Sequence, residues 1–129
     1  AVVARLSLNK EKPMTVTRIV CNFASADVPG LAAFYSELLN LNILMDQGWI
    51  ITLGSGELGP VQMSIAAQGG AGAPVPDISV EVENVDEVHD RARAMGATIT
   101  YPITDESWGV RRFFVADPMG REINILSHF

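Results

Sequence analysis

The chain carries one order of elements twice, and that repetition constrains its fold more than any single residue does. Residues 18–24 form a β-branched, apolar run and read as a strand. Asp27 then stands where it caps a helix, with Pro29 in the first turn, a tolerated position. Leu31, Phe34, Tyr35 and Leu38 follow at helical spacing and predict one apolar face. Three short strands are expected over 42–45, 49–53 and 60–66, punctuated by Gly48 and the 54–59 segment. Residues 68–76 (QGGAGAPVP) have no periodicity and read as a linker. The pattern then restarts. Ile78, Val80 and Val82 alternate with polar residues, as in a strand with one buried face. Asn84 caps a second helix with Glu87 at the capping-box position, and Gly96 ends it. Val85, Val88, Ala92 and Met95 are its apolar stripe. Strands over 98–102, 110–116 and 122–127 complete the second half, with a tight turn over 117–120.

The two caps, Asp27 and Asn84, are equivalent positions 57 residues apart. Neither half has enough sequence to bury both its helix and its sheet alone. The expected fold class is therefore α+β: two βαβββ modules, about 15–67 and 77–129, paired into a curved mixed sheet. That sheet forms an open cup with the helices outside. A concave face between two modules is the ordinary place for a ligand.

Composition narrows the function. With 129 residues there is room for one domain, and 48% hydrophobic residues are enough to build its core. No apolar run is long enough to span a membrane. The single cysteine, Cys21, excludes an internal disulfide framework and reads as a small buried apolar residue packing on a helix, as does Phe23. A pI near 4.7 gives no basic footprint for nucleic acid. Residues 1–13 hold both lysines, whereas every basic residue from Met14 onward is arginine. They read as a non-native leader, with 14–129 as the domain; without them the net charge of −6 becomes −8. The expected location is the cytoplasm of a bacterium.

The segments DVPGLAAFYSELLNLNI, DISVEVENVDEVHDRARAMGATI and SWGVRRFFVADPMGREINIL resemble the vicinal oxygen chelate superfamily. This is the glyoxalase, bleomycin-resistance and extradiol-dioxygenase group. The resemblance covers nearly everything after Arg18 and implies the paired βαβββ cup and a homodimer. It also implies four strand positions for a divalent metal. In this chain they fall on Val20, on Gln62 or Ser64, on Asp77 and on Asn124. Valine cannot ligate, the amides are neutral, and Asp77 is the one charged donor. That set suits neither zinc nor its neighbours. The chain therefore reads as a member lacking the usual metal ligands, with no cofactor expected and a weakly held hard cation as the lesser possibility.

Strand alternation names the side chains expected inside the cup. They are Val20 and Asn22; Asp77, Ser79 and Glu81; Arg112 and Phe114, which a bulge would exchange for Phe113 and Val115; and Glu122, Asn124, Leu126 and the near-terminal His128. Trp49 and Trp108 open equivalent strands of the two halves. Aromatic walls and carboxylates suit a planar or cationic small molecule. The expected ligand-binding residues are Asn22, Trp49, Gln62, Asp77, Ser79, Glu81, Trp108, Arg112, Phe114 and Asn124. Arg111 and Arg112 argue for an anionic ligand instead, and His128 or Glu122 would be the general base of an enzyme. His89 is expected on the solvated side of the second helix. The leading reading is metal-independent binding of a small molecule, as in the drug-sequestering branch. The rival is a metal-dependent lyase, isomerase or dioxygenase with an atypical ligand set.

Overall fold

Strand β1 (Val16–Ala24) and helix α1 (Val28–Leu39) open the first module, followed by β2 (Asn42–Asp46), β3 (Ile50–Gly54) and β4 (Gln62–Ala66). The second module repeats the order as β5 (Ile78–Val82), α2 (Val85–Ala94), β6 (Thr98–Asp105), β7 (Val110–Ala116) and β8 (Glu122–His128). The computed structural model describes residues 15–56 and 61–129. The leader segment 1–13 and part of the 54–59 turn lie outside the described residues.

All eight strands belong to one open, curved sheet of order β2-β3-β4-β1-β5-β8-β7-β6. Within each module the first strand runs parallel to the last, β1 with β4 and β5 with β8. The modules join through the antiparallel pair β1–β5, with Val20 opposite Ser79 and Cys21 opposite Ile78. Equivalent positions meet directly at this seam: Asn22 Nδ2 donates to Ser79 Oγ at 3.0 Å across 57 residues of sequence. The expected fold class and the presence of both helices are as the sequence implies.

Both caps work locally. Asp27 Oδ1 accepts from the Gly30 backbone N–H and Asn84 Oδ1 from that of Glu87. A Cβ at position 30 would sit 2.1 Å from the Asp27 carboxylate, so a larger residue there would displace the capping side chain. Helix α1 packs on β3 and β4, and α2 on β6, β7 and β8. Each covers its own core: Val28, Ala32, Ile51, Leu53 and Ile65 under α1, and Val82, Val85, Ala92, Phe113 and Ile125 under α2.

This placement corrects three expectations. Cys21 is exposed rather than buried. Phe23 does touch Tyr35 of α1, at 5.7 Å between ring centres, but stays 41% exposed. The buried face of α1 runs through Val28 and Ala32 with Leu31 and Tyr35 beside them, leaving Phe34 and Leu38 exposed. His89 is not simply solvated, because its ring stands edge-on to buried Phe113 at 4.9 Å. Among the described residues no helix is long and apolar enough to cross a membrane.

Candidate functional site

The concave face of the sheet encloses a cavity of about 310 Å³ between the modules. Its polar floor comes from the four central strands. Asn22, Ser64, Ser79 and Asn124 line it, one from each of β1, β4, β5 and β8. Their alignment follows from register, since Asn22 pairs with Ser64 and Ser79 with Asn124. Ser79 Oγ accepts from the amide nitrogens of both Asn22 and Asn124, each at 3.0 Å. That orientation turns the two amide oxygens away from Ser79. Asn124 is 8% exposed, and its Oδ1 is buried without a hydrogen-bond partner. Ser64 Oγ lies 2.7 Å from Thr52 Oγ1, a pair of hydroxyls of which one proton is left over.

At the outer end of the same four strands stands a charged group. Arg18 Nε is 3.0 Å from Glu81 Oε1, and Arg18 Nη1 donates to Gln62 Oε1 at 2.9 Å. His128 Nδ1 lies 2.8 Å from the other oxygen, Glu81 Oε2. The Arg18 Nε–H is not aligned with Glu81 and has no hydrogen-bond acceptor, although the atom is buried. Glu81 is thus held from two sides.

The aromatic wall joins the modules. Trp49, just before β3, meets Trp108, just before β7, edge to face with centres 5.5 Å apart. Beneath them runs the 68–76 segment. It reads as a linker in sequence, yet it is a fixed part of the wall. Gly69 N donates to Ala73 O, Ala73 N to Gly70 O, and Gly72 N to Gln68 Oε1. Gly70 has φ +89°, and a Cβ there would lie 2.8 Å from the Trp108 ring and 3.1 Å from Trp49. Only glycine meets both demands at this position.

Arg112 clamps this wall from below. Its side chain is 3% exposed. Nε donates to Glu106 Oε2 at 2.7 Å, and the two Nη atoms donate to the carbonyls of Gly69 and Gly70. Its guanidinium lies 4.7 Å from the Tyr101 ring centre, 4.9 Å from that of Phe114 and 5.0 Å from that of Trp108. Tyr101 Oη completes the group by donating to Glu106 Oε2. The Arg112 charge is therefore answered inside the protein.

The structure brings seven of the ten expected ligand-binding residues to the cavity: Asn22, Trp49, Ser79, Glu81, Trp108, Arg112 and Asn124. Gln62 stands at its edge through Arg18. Asp77 is exposed and turned aside, its carboxylate accepting from the Glu122 N–H at 3.0 Å. Phe114 is 0% exposed, sealed against Tyr101 and Arg112. Arg111 points to the helix side, bonding Asp86 and Asp105, which together hold its guanidinium above its ordinary pKa, Asp105 most. Asp117 also lies away from the cavity. Its carboxyl is held below the ordinary range, chiefly by the Arg121 backbone N–H and also by that of Met119. Sequence reading missed Arg18 and Glu106. Arg18 was open to detection, since alternation places it on the face of Val20 and Asn22.

The donors present do not fit a divalent transition metal. Of the four implied positions, Val20 is apolar, Ser64 is tied to Thr52, Asn124 is a neutral amide, and Asp77 faces away. Glu81 and His128 are chemically competent donors, but the Arg18 cation sits on that carboxylate. Among the described residues no three His, Cys, Asp or Glu side chains cluster as ligands.

The family model of the Glyoxalase/Bleomycin resistance protein/Dioxygenase superfamily matches residues 18–125. No curated protein matches the chain in sequence. Among solved structures it is similar to a Legionella pneumophila protein described as an NAD-dependent benzaldehyde dehydrogenase. That match has a TM-score of 0.70 and 19% identity, over 86% of this chain and 99% of that one. It is also similar to methylmalonyl-CoA epimerase from Mycobacterium tuberculosis, with TM-score 0.65 and 17% identity over 88% and 89% of the two chains. A superfamily member from Vibrio splendidus 12B01 gives TM-score 0.62 and 16% identity, over 88% and 99%. Identities this low speak for the fold alone.

Proposed function

The chain belongs to the glyoxalase/bleomycin-resistance/dioxygenase superfamily, and within it we propose a protein that holds a small planar molecule in the cup without a metal ion. One observation carries the reading: the inner strand positions present neutral amides and hydroxyls, under a wall made by Trp49 and Trp108. A cavity of about 310 Å³ is of the size that small-molecule sites have. The expected preference for a cation weakens, because Glu81 is engaged by Arg18 and His128, Glu106 by Arg112, and Asp77 faces away.

Sequestration is the simplest activity for such a site. Incubation with planar compounds should give saturable quenching of the Trp49–Trp108 pair, with each compound recovered unchanged by mass spectrometry. Conversion of a bound compound to product would contradict it. One contact favours a second reading, an enzyme: a carboxylate holding an imidazole, as Glu81 holds His128, is a usable acid–base pair. In that case His128→Ala would abolish turnover while leaving binding in place.

The reading includes a homodimer in a bacterial cytoplasm. Phe34, Leu38 and Leu39 of α1 and Ile43 of β2 are each more than half exposed on the helix side of the first module, which supports an apolar contact there. The free, exposed Cys21 fits a reducing compartment.

A further inference from the structure

A second cavity, of about 530 Å³, lies on the opposite face of the sheet, between the later turns of α2 and strands β7 and β8. Its walls are mainly apolar: Val88, Ala92 and Met95 from the helix, and Val115, Ile123 and Ile125 from the sheet. The duplication explains why the space is there. Counted from the two caps, Tyr35 of α1 corresponds to Ala92 of α2, and Phe34 to Arg91. Tyr35 packs against the core under α1. Ala92 brings only a methyl group to the same place, so α2 leaves open the volume that a phenol ring takes in the first module. Protein interiors are close-packed, and an apolar cavity of this size suits an apolar guest better than ordered water. Met95, which lines it, is 74% exposed, and a methionine at the mouth adapts to guests of varied shape.

Three polar side chains stand on the wall: Arg91, Thr98 and Asp117. The Asp117 carboxylate is already answered, by the N–H groups of Met119 and Arg121 and by the Arg121 guanidinium. Arg18, Arg111 and Arg112 likewise each meet a carboxylate. Arg91 is half-buried, and among the described residues its side chain has no hydrogen-bond or ion-pair partner. A free guanidinium beside an apolar cavity is the counter-charge for an amphipathic anion. The net charge of −6 gives an anion no general attraction, so recognition falls to this one cation.

We infer that this cavity is a second small-molecule site, built for an apolar monocarboxylate whose alkyl or aryl body lies under α2 and whose carboxylate meets Arg91. No residue lines both cavities, so this site stands apart from the cup. A neutral apolar compound would leave Arg91 without a counter-charge. An organic cation would add a like charge beside it. An inorganic anion would leave the apolar walls wet.

The test compares octanoate with 1-octanol on the full chain, by calorimetry and by tryptophan emission. Octanoate should bind at least about fivefold more tightly, the upper end for a partly exposed ion pair. The emission should not change, because Trp49 and Trp108 line the other cavity. In Arg91→Gln octanoate should fall to the level of octanol, with octanol unaltered. Ala92→Leu, which fills the space from the helix, should weaken both. The half-exposed Arg91→Gln keeps the test decisive if Ala92→Leu fails to fold. Equal binding of the two probes to the parent, or an octanoate preference that survives Arg91→Gln, would overturn the carboxylate assignment. Absence of binding, or octanoate binding that changes the tryptophan emission, would overturn the site itself, while the reading of the cup would stand.

Discussion

The two modules share one fold but divide the work unequally. At matching register positions the first has Ile50 and Thr52 where the second has Arg112 and Phe114. The second module therefore contains a buried ion pair under an aromatic cage, and at the matching positions the first has a hydroxyl pair, Thr52 with Ser64. Outside, the order is reversed. Helix α2 presents Asp86, Glu87, Asp90, Arg91 and Arg93, whereas α1 presents Phe34, Leu38 and Leu39. A duplicated fold has kept its hydrogen-bond ladder and caps while its two copies took separate roles. The second copy forms a wall that also fastens the 68–76 segment, and the first leaves apolar side chains exposed.

Breaking the buried pair should give the largest effect. Arg112→Met leaves Glu106 buried without its cation and should cost about 3–5 kcal/mol in chemical denaturation. Ile50→Val, at the matching position, should cost only about 0.5–1.5 kcal/mol. The double variant Arg112→Met/Glu106→Gln should regain much of the loss. Comparable costs for the two single variants would erase the asymmetry.

Gly70→Ala comes next. A left-handed backbone with a Cβ costs about 1–2 kcal/mol, before any contact with the two tryptophans. The expected signature is a lower melting temperature together with a changed tryptophan emission spectrum. An unchanged spectrum would detach the 68–76 segment from the aromatic wall.

Leu38→Glu tests the outer face. Light scattering should show a dimer for the unaltered chain and a folded monomer for the variant, while Arg93→Glu on α2 should leave the dimer intact. A dimer that survives Leu38→Glu but not Arg93→Glu would reverse the assignment of the two faces.

The smallest effect belongs to the turn before β8. The native Asp117 carboxyl has its pKa lowered, so its stabilising share is full above the ordinary value of 3.8 and is lost as pH falls through the lower native value. Asp117→Asn should therefore be slightly less stable than the parent near neutrality, and the gap should close in acid. A gap that is constant with pH would deny the charge its part.

Much of this architecture is legible in the sequence, because caps and periodicity are local signals. Asp27 and Asn84 announce both helices, and alternation places Asn22, Ser79 and Asn124 on one face. What escapes is set by distance in the chain. Nothing around Glu106 shows that it faces Arg112, or that Arg112 holds carbonyls more than forty residues earlier. The exposure of Cys21 and Leu38 depends on where the helices settle on the sheet, which spacing does not encode. Asp77 reads as an inner ligand by alternation, but β5 begins only at Ile78, and its carboxylate instead ties the start of β8. The 68–76 segment has the composition of a linker because glycine is what its turns and the tryptophan contact require.

The central claim is that the cup binds its ligand without a metal. The direct measurement is metal stoichiometry: tag-free protein incubated separately with Ni, Zn, Mn, Fe and Mg, desalted, and its bound ions counted per chain. The account predicts near-zero occupancy with every ion. Near one ion per chain, lost in Glu81→Gln or His128→Ala, would contradict it and show that Arg18 yields its place to a metal.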